Sequence, residues 1–226
     1  MAIQNFDELN IIKRRSLPYS KYFGDMELTP KQKKEREELA LILEDYIMLF
    51  FDLINSGANE TTVRKEMTYE LYKIIDDKGY FENDTQTDKY ISDLVKNTYQ
   101  STVENLKNHP NDVSEYDIDN DKVEPYWTSD DRAMFIAENE SNTLFNSKEY
   151  KEAKERGFTH KIWMVFPDNR VRPTHVEANG LKLPIGHYFE VGDALMLYPK
   201  DMTSEYSTLP EHPEEYVNCR CQIKYV

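Results

Sequence analysis

Two cysteines and a histidine in the second half of the sequence are residue types that bind zinc. Cys219 and Cys221 are separated by one residue, and His175 precedes them. Thiolate and imidazole groups suit zinc, and a structural zinc site needs four ligands. The fourth ligand would come from His160, His187 or Asp168. Zinc-binding cysteines usually have two to four residues between them, and here there is one. We therefore expect no metal and no other cofactor, with zinc at Cys219, Cys221 and His175 as the alternative.

The same two cysteines are too close in sequence for an ordinary structural disulfide, because the geometry of that bond is specific. Without metal, Cys219 and Cys221 are expected to flank the last strand, one of them buried as an ordinary core residue.

A second group of residues could bind an anion. Arg170 and Arg172 alternate along an extended segment and therefore face one side, and with Lys161 they outnumber the one acid, Asp168, between residues 157 and 175. Arginine suits two-point contacts to phosphate or carboxylate. One interpretation is a small phosphate-contacting patch. The favoured one is a buried ion pair in which Arg172 joins Asp168 or Glu140 and fastens a helix to a sheet.

Glu140, Arg172 and His175 are also the residue types of a metal-free nuclease, in which acid and base groups act beside a phosphate clamp. A lone histidine without a positioned partner does not establish catalysis. We therefore expect no enzyme activity, and a nucleic-acid-processing enzyme is the alternative.

Helices followed by short strands must position these residues. Helical periodicity covers residues from Ser129 to Asn146 and from Ser147 to Arg156. An alternating stretch from His160 to Phe166 predicts a strand with Trp163 in the core, followed by a turn at Asp168 and Asn169. The last strand, from Gln222 to Val226, is expected to lie beside it. This half is therefore predicted to be an α+β domain whose strands form a small antiparallel sheet.

The first half is predicted to be helical, with helices from Pro30 to Asn55, from Asn59 to Asp77 and from Asp84 to Asn108. The first helix is apolar on nearly all sides, so we expect the other two helices or a partner chain to cover most of its circumference. The predicted division is an irregular basic arm (1–30), a helical region (31–108), an acidic linker (109–128) and the α+β domain (129–226).

The linker region contains Asp117, Asp119 and Asp121, whose alternation is similar to that of a calcium-binding loop. It lacks the glycine and the late glutamate that such a loop requires. We expect a solvated acidic connection, with calcium as the alternative.

The overall charge limits the function classes. The chain carries a net charge of −14, which argues against a surface that binds nucleic acid throughout. Residues 1–34 contain seven basic and four acidic residues, so any DNA contact would be local. No signal peptide is recognised, and the most apolar stretch, Leu39 to Ile54, is short and contains three acids. We expect a protein that starts in a cytoplasm and does not enter a membrane.

The motifs of the second half occur in a recognisable order. They are Trp163, Asp168-x-Arg170-x-Arg172-x2-His175, Gly180, Phe189-x2-Gly192, Pro199 and Asn218-Cys219-Arg220-Cys221. In this order the sequence resembles the phage Mu F-like minor head protein family, head morphogenesis proteins of tailed phages. The motifs cover residues 133–226. Where the family often has Ala-Arg-Thr-Glu, this chain has Ala137-Glu138-Asn139-Glu140, so an arginine is replaced and the last acid is retained.

The resemblance implies a non-catalytic minor head protein that acts in capsid assembly and DNA packaging or ejection. It implies a place in the virion, inside the head, after assembly in the host cytoplasm. The expected partners are the portal protein or the major capsid protein and, weakly, DNA, with an oligomer formed through the N-terminal helices as a further expectation. A host-cytoplasm interaction protein derived from a phage gene is another alternative.

Overall fold

A computed structural model describes residues 9–13, 18–24, 26, 28–119, 123–166, 171–207 and 212–226. The helices are α1 (Tyr19–Gly24), α2 (Pro30–Asn55), α3 (Glu60–Ile75), α4 (Asp84–Asn108), α5 (Glu115–Asp119), α6 (Asp130–Glu155), α7 (Pro173–Ala178) and α8 (Pro213–Tyr216). The strands are β1 (Asn10–Ile12), β2 (Asp112–Ser114), β3 (His160–Met164), β4 (Lys182–Pro184), β5 (Phe189–Val191), β6 (Ala194–Met196) and β7 (Gln222–Tyr225). The fold is α+β with a helical first half, as predicted.

Local capping explains where the long helices begin. Thr29 and Gln32 form a reciprocal capping box at the start of α2, and Pro30 occupies the first helical position. Asn83 caps α4 by accepting a hydrogen bond from the backbone N–H of Gln86. The predicted bounds of α2 and α4 are confirmed. The predicted second helix is shorter than expected, because residues Asp76–Lys78 tighten into a 3₁₀ turn.

Helix α2 packs mainly against α6, and its buried face includes Phe50 and Phe51. Within the described residues the predicted cover is incomplete, because Leu41, Ile42 and Leu49 are 54%, 51% and 53% exposed. Cover of this stripe by a partner chain stays a prediction. The element that covers most of the buried face of α2 is α6, a helix from the second half of the chain.

Residues 130–155 form one helix, α6, so the predicted break between Asn146 and Ser147 is wrong. The polar side chains of Asn146 and Ser147 favour a turn. Instead, Asn146 donates to the carbonyl of Pro199, and the Ser147 hydroxyl accepts from Tyr198. Tertiary hydrogen bonds therefore hold in a helix two residues that often end one.

The arm and the acidic segment are more regular than expected. In the arm, α1 buries Tyr22 and Phe23, and β1 pairs in parallel with β2. In the segment 109–128, the Asp112 carboxylate accepts hydrogen bonds from Asn10 and from the Trp127 indole N–H. Asp112 is therefore a buried hydrogen-bond acceptor, and Asp117 is buried as well, so these two acids are not solvated as expected. Asp121, of the calcium alternative, lies outside the described residues.

The C-terminal strands place the site. β3 lies between β4 and β7 in an antiparallel sheet, and Trp163 is paired with Ile223. β5 and β6 form a separate hairpin. Trp163 is fully buried and its ring meets that of Phe189 edge-on at 5.2 Å. The predicted pairing of the last strand beside the Trp163 strand is confirmed.

No helix in the described ranges combines the length and the apolar character that crossing a membrane would require.

Candidate functional site

His175, Cys219 and Cys221 meet in the C-terminal half, and each is almost entirely buried. His175 Nδ1 lies 3.2 Å from Cys221 Sγ and 3.5 Å from Cys219 Sγ. Helix α7 carries the histidine, and the two cysteines, both free thiols, lie just before β7. The Trp163 ring meets the imidazole edge-on at 5.8 Å and fixes one side of it. We call these three residues the Cys–His cluster.

The other imidazole nitrogen is fixed by a carboxylate. His175 Nε2 lies 2.9 Å from Glu215 Oε2, which also accepts a hydrogen bond from the Thr174 hydroxyl at 2.9 Å. Gly192 has a φ of +59°, and a Cβ there would lie 2.6 Å from Glu215 Oε1. The motif glycine therefore leaves the space that this carboxylate occupies.

The cluster shifts the pKa values of its own groups. Burial opposes ionisation of Cys219, but hydrogen bonds with Cys221 and His175 outweigh it and hold the pKa of the Cys219 thiol well below its ordinary value. The hydrogen bond to Cys219, together with burial, raises the pKa of the Cys221 thiol. Burial lowers the pKa of His175, yet the hydrogen bond with Cys219 leaves the net shift upward. The arrangement favours a Cys219 thiolate beside a Cys221 thiol and a protonated imidazole.

A narrow cleft of about 20 Å³ opens beside the cluster. Arg172 and Arg220 line it. Arg172 donates to the backbone carbonyl of Val217, and the Arg220 guanidinium lies 4.6 Å from the centre of the Phe166 ring. Both arginines thus take part in local packing at the mouth of the cleft.

Three asparagines on one face of α6 hold the motif segment from behind. Asn142 Nδ2 donates to the carbonyl of Cys219 at 3.0 Å, and Asn146 Nδ2 donates to that of Pro199 at 3.1 Å. Asn139 Oδ1 accepts from the backbone N–H of Asn218 at 2.7 Å and from Lys200 Nζ at 3.0 Å. We call Asn139, Asn142 and Asn146 the asparagine row. It joins helix to motif through buried hydrogen bonds, whose loss would leave unsatisfied polar groups.

Lys200 and Asn218 share an unusual backbone conformation. They are the residues other than glycine with positive φ in the described ranges, at 65° and 55°. Asparagine tolerates this region better than most residues do, and lysine does not. The Asn139 side chain accepts from the backbone N–H of Asn218 and from Lys200 Nζ, so it holds the Asn218 turn directly and anchors the Lys200 side chain beside it.

Glu140 lies apart from the cluster. It accepts a hydrogen bond from the Tyr90 hydroxyl at 2.7 Å and lines a groove of about 620 Å³ with Lys200. Arg172 and His175 line the small cleft instead. The favoured helix-to-sheet ion pair from Arg172 to Glu140 is therefore not present, because each residue has another partner. Its alternative acid, Asp168, lies outside the described residues, as does Arg170.

Gly180, His160 and His187 lie outside the Cys–His cluster. Gly180 has a φ of 79° and donates its N–H to the carbonyl of Trp163 at 2.8 Å, so it closes the turn after α7. Of the proposed fourth zinc ligands, His160 bonds to the Thr159 hydroxyl, and neither it nor His187 joins the Cys–His cluster.

Glu215 and the asparagine row were not predicted from the sequence. An acid four residues before Cys219 was the available signal for the first. For the second, asparagine spacings of three and four indicate a shared helix face, but they do not identify the distant partners of that face.

A comparison with protein families finds a match that includes the residues described above. Searches of curated proteins and of solved structures find no match. The family model described as Phage Mu protein F like protein matches residues 52–224. That range contains α3, α4, α6, the asparagine row and the whole Cys–His cluster, and the chain therefore belongs to the phage Mu protein F like family of head morphogenesis proteins.

Proposed function

We propose that this protein is a non-catalytic minor head protein of a tailed phage that associates with the portal vertex during head assembly. The family match over residues 52–224 is the observation that carries the proposal. The motif side chains support it, because Trp163, His175 and Cys219 contact one another and are buried. We assign these three buried side chains a role in stabilising the C-terminal domain.

Burial also argues against the nuclease alternative. His175 and Cys219 are each 2% exposed, and the neighbouring cleft of about 20 Å³ is too small for a nucleotide. Glu140, the acid of that alternative, is bonded to Tyr90 and lines a different cavity.

The exposed stripe of α2 is our candidate for the portal-binding surface. Leu41, Ile42 and Leu49 are each more than half exposed, and Asp45 and Asp52 lie along the same side of the helix. Large apolar side chains grouped on a surface are typical of protein interaction sites. An oligomer of this chain would use the same stripe.

DNA contact, if the assembled head requires it, would be weak and sensitive to salt. The net charge of −14 repels phosphate, and the two segments in which we count more basic than acidic residues are 1–34 and 157–175, which contains Arg172. Arg172 already donates to the Val217 carbonyl, which reduces its capacity for phosphate.

Copurification tests the proposal. The tagged full chain is coexpressed with the portal protein, and separately with the major capsid protein, and the captured partner is identified by mass spectrometry. We expect capture of the portal protein, lost on Leu41→Ser with Leu49→Ser and retained on Lys182→Ser, an exposed change on β4. Absence of portal capture, or absence of the protein from purified virions, would refute the assigned role.

A further inference from the structure

The strongest unassigned feature of the chain is the donor set of the Cys–His cluster. Two thiols and one imidazole nitrogen lie within 4.8 Å of one another, and all three residues are buried. Tetrahedral zinc with bonds of about 2.3 Å to sulfur and 2.0 Å to nitrogen holds these atoms about 3.6 Å apart. The two sulfur-to-nitrogen distances, 3.2 and 3.5 Å, are already close to that spacing. We propose that His175 Nδ1, Cys219 Sγ and Cys221 Sγ bind a zinc ion.

The surroundings of His175 are those of a metal ligand. Zinc-bound histidines usually donate their second N–H to a carboxylate, which fixes the tautomer and orients the ring. Glu215 Oε2 accepts at His175 Nε2, so Nδ1 is left for the metal. Thr174 and the absence of a side chain at Gly192 keep Glu215 in place.

The fourth coordination position faces the small cleft. A cavity needs about 10–15 Å³ to hold one water molecule, and this one has about 20 Å³. We therefore assign three protein ligands and one water-sized ligand. Zinc with two thiolates and a neutral imidazole is a neutral set, which limits the cost of burying the ion. Because the ligating forms are thiolate and neutral imidazole, zinc binding should become weaker as pH falls.

The short Cys-x-Cys spacing is compatible with this assignment because both sulfurs already lie within 4.8 Å of each other and of the histidine nitrogen. Positive φ at Asn218 turns the chain just before Cys219. Asn142 fixes the Cys219 carbonyl at 3.0 Å. A bound ion would link α7 to the segment that starts β7, so its binding free energy would add to the stability of the sheet.

Elemental analysis and cobalt substitution test the proposal. The full chain is expressed with zinc, purified under reducing conditions and analysed by plasma mass spectrometry. We expect one zinc per chain, and a thiolate-to-cobalt charge-transfer absorption after replacement with Co²⁺. His175→Gln and Cys219→Ser should lose the metal. His160→Gln and His187→Gln are the matched controls and should retain it.

A variant of Glu215, the carboxylate that orients His175, keeps the test decisive if the ligand variants fail to fold. Glu215→Gln should bind zinc about 10- to 100-fold more weakly while retaining one equivalent at excess metal. Wild-type chain that is folded, reduced and free of zinc, and that shows no thiolate-to-cobalt band on titration, would overturn the assignment. Full zinc content in folded His175→Gln would overturn it equally.

Discussion

Asn139 Oδ1 lies 2.7 Å from the backbone nitrogen of Asn218 and accepts its hydrogen bond. The two residues are 79 positions apart in the chain. The same oxygen also accepts from buried Lys200, whose ammonium donates to the Asn139 carbonyl as well. Helix α6 thus fixes both turns of the motif region through one residue.

Replacing Asn139 with alanine should destabilise the protein by about 3 kcal/mol. The change leaves a buried N–H at Asn218 and removes one acceptor from a buried ammonium, and each unsatisfied group costs about 1–3 kcal/mol. Urea unfolding measures the loss. Asn97→Ala, an exposed change on α4, should cost less than about 0.5 kcal/mol. Equal losses for the two variants would contradict this role.

Phe50→Ala should cost about 3–5 kcal/mol, because its side chain is 1% exposed in the hydrophobic core of the helical half. The adjacent Leu49 is 53% exposed, and Leu49→Ala should change stability by less than about 1 kcal/mol. Thermal unfolding of the two variants side by side checks the orientation of α2. A larger loss at Leu49 would mean that the helix is rotated.

Lys161 should make stability depend on pH. It is fully buried on β3, donates to the Leu197 carbonyl, and burial lowers its pKa to about 7 despite nearby Asp201. Above pH 7 the unfolded chain holds a proton that the folded chain has released, so stability rises with pH until the ordinary pKa of 10.5 is reached. The slope contributed is at most about 1.4 kcal/mol per pH unit.

Lys161→Met isolates that contribution. The variant should be more stable than the parent below pH 7, where the buried cation carries its full desolvation cost, and this advantage should shrink as pH rises. Unfolding by urea at several pH values gives the difference. Lys182→Met, on exposed β4, should show no such trend. An advantage that grows with pH would reverse the sign and refute the assignment.

Gly192→Ala should disturb the orientation of His175. A methyl group there would meet Glu215 Oε1 at 2.6 Å, and positive φ adds backbone strain. We expect lower stability and an altered imidazole resonance in NMR spectra. Gly186→Ala is the control, because a Cβ there meets nothing within 4 Å. An unchanged His175 resonance in folded Gly192→Ala would contradict the spacer role.

The helix starts were predictable because capping is local. Thr29-Pro30 and Asn83 carry their signals within a few residues. The strand at Trp163 was predictable from alternation, and its pairing with β7 from the apolar pattern of both strands. The order of the C-terminal motifs led to the right family.

The asparagine row was not predictable from local pattern. Asn146 and Ser147 favour turns in isolation, and only partners more than fifty residues away turn them into helical contacts. The exposure of Leu41 and Leu49 was not predictable either, because the apolar character of a residue does not show which face of a helix is covered. The acid at position 215 became informative only when the fold placed it beside His175.

The asparagine row also bears on the order of folding. Its contacts with Asn218 and Cys219 span 79 and 77 residues, and such distant contacts form late because closing a long loop costs entropy first. Until α6 exists, the turns at Lys200 and Asn218 have no acceptor to stabilise them. We therefore expect α6 to form first and the last segment of the domain to fold against it.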